Sequence, residues 1–317
     1  MNRQSVAFVA VAYALSIMLS LVVGITGGSE SRLAFGFGVA SMFIPAFAAL
    51  VVVVVMKAQP PSGWHRFPVK YVPVALVLMP VVMHAVMLPV AAALWGGLPW
   101  ASWLTPEADG LYHTSAARGW GVLTPVGLVA RMATNIIVGL AANSTLAFFE
   151  EVGWRGWLLP SLTNRMSVRR AVALSAVIWA FWHTPFAIGG IHYLPGIPAL
   201  LIVLTLPMLT IGAGLVIGWL WIRTESLWMV ALAHGALNNW GQYAFKFMGD
   251  EGSGGEPRDM LVLAAGGLAV LGVGILLITR ALPSPSRRLE SGEPSKMPAA
   301  QQAFAADGGP HNMSRRG

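Results

Sequence analysis

Two glutamates stand side by side at positions 150 and 151, and Arg155 follows four residues after the second. Their surroundings are apolar or aromatic: Phe148 and Phe149 precede them, Val152, Gly153 and Trp154 follow, and Pro160 is expected to break the helix. On a helix Glu151 and Arg155 face each other one turn apart, in the favourable acid-before-base order. Glu150 lies about 100° round the helix and has no cation at that spacing. One carboxylate therefore has a local partner, and the other must find its partner on another helix. Two further helices offer candidates. The run Ile178-Trp179-Ala180-Phe181-Trp182 leads into His183 and Pro185. Pro185 has no N–H, so it leaves the Phe181 carbonyl unpaired and loosens the helix beside His183. Further on, His234 and Asn238 are one turn apart on one helical face.

Taken singly, each of these residues would be structural. A lone histidine in an apolar helix most often bonds a neighbouring helix, and His84 is expected to do so. Glu151 with Arg155 reads as a structural pair even inside an active site. Two acids, two histidines and an amide on three helices outnumber what packing requires.

The elements that carry them are membrane helices. Hydrophobic residues make up 56% of the 317 and charged residues 10%, against about a quarter charged in soluble domains. The apolar residues collect in runs of about twenty, the length that crosses ~30 Å of hydrocarbon. Eight spans are expected, at roughly 5–27, 33–57, 72–94, 133–158, 168–188, 198–220, 226–247 and 259–280. The first run is too long for a signal-peptide core and has no Ala-x-Ala site near its end, so it reads as a retained helix. A charge in the middle of such a helix costs about 2.5–3.5 kcal/mol on insertion scales, so it persists where it pairs or works. Counted from the helix ends, Glu150, His183 and His234 fall roughly 12–22 Å deep, and so could meet in one cavity.

The net charge of +7 follows topology rather than nucleic-acid binding. With eight spans and both termini in the cytosol, the inner segments hold Arg3, Lys57, Arg66, Lys70, Arg155, Arg165, Arg169, Arg170, Arg223 and the C-terminal basic residues. Arg32, Arg118, Arg131, Lys246 and Arg258 fall outside. Trp219, Trp221 and Trp228 flank the short inner turn between spans six and seven, as interfacial anchors do. The fold class is thus all-α and polytopic, with a membrane domain over 1–282 whose motif core is 140–240. Residues 283–317 read as a disordered cytoplasmic tail. The outer connection 96–132 is rich in Gly, Trp and Pro and could hold a short surface helix. The chain has no cysteine, which excludes disulfides, thiolate metal sites and a cysteine nucleophile within it.

Glu150-Glu151-x-x-x-Arg155, an aromatic residue four before His183, and His234-x-x-x-Asn238 resemble the three ordered motifs of the CPBP family. That family comprises type II CAAX prenyl endopeptidases and bacteriocin-processing or Abi proteins. The resemblance runs from about 140 to 240 and includes Gly153-Trp154-Arg155-Gly156 and Ser226-Leu227-Trp228. One position departs: the second motif often has Phe four before the histidine, and here Trp179 stands there.

The resemblance implies a glutamate-dependent intramembrane endopeptidase of a bacterial plasma membrane. Glu150 would be the base that activates water, His183 would hold the same water, and His234 and Asn238 would be oxyanion donors. Glu151 and Arg155 would brace Glu150, and no cofactor is implied. The partners would be the bilayer and a membrane-associated protein or peptide: a prenylated CAAX protein, a pheromone or bacteriocin precursor, or a membrane-protein tail. The nearest rival is a zinc metalloprotease using Glu150, His183 and His234, a His₂Glu set, although His-Glu-x-x-His is absent. A catalytically silent immunity or scaffold protein and an ion or small-molecule transporter are the other classes. All five polar positions being intact argues against the first of these, and the lack of an internal repeat argues against the second.

Overall fold

The structure is a computed structural model that describes residues 1–27, 34–96, 104–107, 109–114, 120–189, 199–240 and 257–282. Residues 1–282 form one compact unit, and the expected disordered tail, 283–317, lies outside the described residues. Among the described residues seven helices are long and apolar enough to cross a membrane. The protein is an all-α polytopic integral membrane protein.

The chain enters through α1 (Arg3–Ile25), then α2 (Ala34–Ser41) and α3 (Ile44–Met56), which together make the second span, and α4 (Val72–Trp95). The fourth span is α5 (Pro125–Gly153), continued by a π-helical turn over Trp154–Leu158 and by α6 (Leu159–Thr163). α7 (Val168–Trp182) and the short α8 (Thr184–Ile188) form the fifth, α9 (Ala199–Thr224) the sixth and α11 (Pro257–Arg280) the last. Between them α10 (Leu227–Trp240) covers most of the expected span 226–247, and the rest of that span lies outside the described residues. α9 packs along α11 and α7, and α10 packs against α5, α4 and α9.

Local chemistry corrects several expectations. The fourth span starts at Pro125, well before 133, because Thr124 caps it: its hydroxyl accepts from Gly127 N at 3.0 Å, with Pro125 in the first turn. The helix does not break at Pro160. The π turn admits the ring, and the Gly156 carbonyl, which Pro160 cannot serve, accepts instead from the Ser62 backbone N–H at 3.0 Å. The connection 96–132, expected to lie outside, shows no short surface helix among its described residues. It forms a small antiparallel sheet, β1 (Leu104–Pro106), β2 (Tyr112–Thr114) and β3 (Val122–Leu123), paired in that order. The first turn is set by Asp109-Gly110, where the aspartate side chain accepts from Leu111 N and Gly110 takes a φ of 78°. Among the described residues His84 bonds within its own helix, to the Pro80 carbonyl at 2.7 Å, and not to a neighbouring helix.

Residues 57–68, between α3 and α4, hold the ends of the motif-bearing helices together. Trp157 Nε1 donates to the Gln59 carbonyl (3.0 Å), Leu227 N to the Gly63 carbonyl (3.0 Å) and Trp228 Nε1 to the Trp64 carbonyl (2.9 Å). Arg66 pairs with Glu225 at 2.6 Å. Gly63, at φ 95°, lies against the Trp221 ring, where a Cβ would collide with it. Trp221 and Trp228, expected as interfacial anchors, thus also fasten this segment.

Candidate active site

Glu150 and Glu151 end α5 just before the π turn, and the two adjacent side chains meet different surroundings. Glu151 is sealed from solvent at 0% exposure, while Glu150 retains 4%. Glu151 Oε1 accepts from Arg155 Nη1 at 2.8 Å, the pair expected one turn apart, and also from His234 Nδ1 of α10 at 2.9 Å. Arg155 Nη2 reaches the Gly214 carbonyl of α9 at 3.4 Å. The guanidinium therefore ties α5 to α9, and the imidazole ties α5 to α10.

Glu150 turns the other way. Its Oε2 accepts from the indole N–H of Trp179 on α7 at 3.0 Å. Trp179 is 1% exposed, and every motif helix touches it. Arg155 lies over its face at 4.7 Å from the ring centroid, and the His183 and His234 rings meet it edge-on with centroids 5.2 and 5.1 Å away. His183 sits between α7 and α8, where Pro185 prevents a continuous helix, and its Nδ1 bonds the Trp179 carbonyl at 2.9 Å.

Both imidazoles have one nitrogen committed, which sets what the other can do. A carbonyl oxygen only accepts, so His183 Nδ1 carries the hydrogen and Nε2 of the neutral ring holds the lone pair. The same holds for His234 Nδ1 against the Glu151 carboxylate. Asn238, on the same face of α10 one turn beyond His234, is half-buried and makes no hydrogen bond among the described residues.

The sequence-predicted residues thus come together as Glu150, Glu151, Arg155, His183 and His234 around one indole. No group of three or more His, Asp or Glu side chains among the described residues is placed to share a metal ion. The close approach of α5 and α10 depends on Gly235, because a Cβ there would run into the Ser144 backbone and hydroxyl. Beside it Asn239 is buried and donates to the Ile136 carbonyl at 3.2 Å, anchoring α10 where Asn238 is left half-buried.

Residues 132–240, roughly a third of the chain, match the profile of the Rce1-like type II CAAX prenyl endopeptidases. Over those residues the chain is similar to that family. A stretch of 39 residues is 46% identical to CAAX prenyl protease 2 of Methanococcus maripaludis, over 12% of this chain and 14% of that protein. The matched stretch takes in all six residues named from the sequence, together with Trp179 and Asn239. These last two were not singled out from sequence as polar contributors. In the sequence Trp179 shows itself as a tryptophan beside the polar residues, where the motif often has phenylalanine, and Asn239 as an amide in an apolar helix.

Proposed function

We propose that the protein is an intramembrane endopeptidase that hydrolyses a peptide bond of a membrane-associated, CAAX-like substrate through a glutamate-activated water. The observation that carries this reading is the division of labour between adjacent carboxylates. Glu151 is bound by Arg155 and His234, whereas Glu150 has a single hydrogen bond among the described residues, from Trp179, and keeps some exposure. Glu150 takes a proton from water as its oxygen attacks the scissile carbonyl carbon, and returns that proton to the leaving nitrogen as the C–N bond breaks. His183 Nε2, which carries the lone pair of the neutral ring, accepts the water's second hydrogen and orients the attack. The Asn238 amide donates to the oxyanion. His234 Nε2 joins it only when the ring is charged, because Nδ1 already gives its hydrogen to Glu151. The Lys and Arg residues clustered at the end that carries residues 57–68 support placing that end in the cytosol.

The direct experiment incubates purified protein in proteoliposomes with farnesylated, geranylgeranylated and unmodified CAAX peptides and identifies products by mass. Cleavage of any of them, lost in Glu150→Gln, supports the reading. Intact peptides throughout, with a folded protein, count against a CAAX-type substrate.

A further inference from the structure

Glu150 has a long, rotatable side chain and no cation at helical spacing, so something outside its own helix must fix it. Among the described residues its one hydrogen bond comes from Trp179 Nε1. That indole is itself immobilised on all sides. Arg155 covers its face, both histidines abut it, Gly214 of α9 lies against its Cε3 edge, and its own carbonyl is held by His183. It is a donor with little freedom to lose. A phenylalanine at this position would fill the space between the histidines and offer Glu150 no donor.

Resting on the protease reading above, we propose that Trp179 is a positioning residue: its N–H fixes the Glu150 carboxylate by Oε2 and turns Oε1 toward the water. Ring bulk alone cannot do this. The indole N–H serves the base, and the Trp179 carbonyl holds His183, so one residue aligns both groups that act on the water. Removing the N–H leaves substrate binding intact and costs the chemical step, because a reacting group displaced by about 1 Å can lose ~10²-fold in rate.

The experiment compares wild type, Trp179→Phe, and a variant with 3-benzothienylalanine at 179, which keeps the indole shape and replaces N–H with sulfur. Both should lower kcat about 10- to 100-fold with KM unchanged within about two-fold. Without substrate, the infrared band of the Glu150 carboxyl, located as the difference between wild type and Glu150→Gln, should shift in both. If Trp179→Phe fails to fold, the benzothienyl protein decides. Undiminished kcat, an unshifted band, or a loss confined to KM overturns the proposal while an active wild type leaves the protease reading standing. A folded wild type with no turnover on any membrane substrate overturns both.

Discussion

His234 and Glu151, on different helices and 83 positions apart, are joined by a 2.9 Å contact between Nδ1 and Oε1, the oxygen that also holds Arg155 at 2.8 Å. One buried oxygen thus binds a guanidinium and an imidazole, and α5 is locked to α10 through it. Glu151 is the keystone of the charge arrangement, whereas the neighbouring Glu150 carboxylate is bound by Trp179.

Glu151→Gln should therefore fail through the fold. It leaves Arg155, 1% exposed, without its counter-charge, and breaking a buried pair costs ~3–5 kcal/mol. A lower melting temperature should accompany its lost turnover. Arg155→Met added to Glu151→Gln should cost less than the two separate losses together, because both act on one pair. The check is a thermal-shift and turnover series on the two single variants and the double. Strictly additive losses would show that the pair does not act as a unit.

The acid-before-base spacing of Glu151 and Arg155 was legible in the sequence because helical geometry alone decides it. That Glu151 also binds His234 was not, because helical periodicity says nothing about which side chain on another helix lies opposite. The two-residue signals Thr124-Pro125 and Asp109-Gly110 are present and mark the start of α5 and the turn of the small sheet. Hydropathy overrides the first, and the shortness of the strands hides the second. Pro160 reads as a helix break in the sequence because its effect depends on Ser62, nearly a hundred residues earlier, supplying the missing donor. The role of Trp179 was hidden for a similar reason: a tryptophan in an apolar helix looks like packing until the carboxylate opposite its N–H is seen.

Asn238→Ala should lower kcat by about 10²–10³ with little change in KM, as loss of one oxyanion donor does. Steady-state kinetics on a cleaved peptide decides this. A change confined to KM would make Asn238 a substrate-binding residue.

Turnover should survive metal removal. The expectation rests on the placement of the side chains, with the Nδ1 atoms of His183 and His234 committed to Trp179 and Glu151. Cleavage rates before and after exhaustive chelation, with elemental analysis of the same sample, test it. Stoichiometric zinc whose removal abolishes cleavage, with recovery on re-addition, would replace the glutamate mechanism by a metal-assisted one.

Glu150 is proposed above as the base of a peptide-hydrolysing site. The most direct measurement compares the termini of membrane-associated proteins and peptides in cells expressing wild type or Glu150→Gln at equal levels, with melting temperatures taken on both purified proteins. Glu150 bears no ion pair among the described residues, so the variant should melt within about 2 °C of wild type, the shift of a change below roughly 1 kcal/mol. New shortened C-termini should then appear with wild type alone. Identical sets of termini from two equally stable proteins would contradict the account.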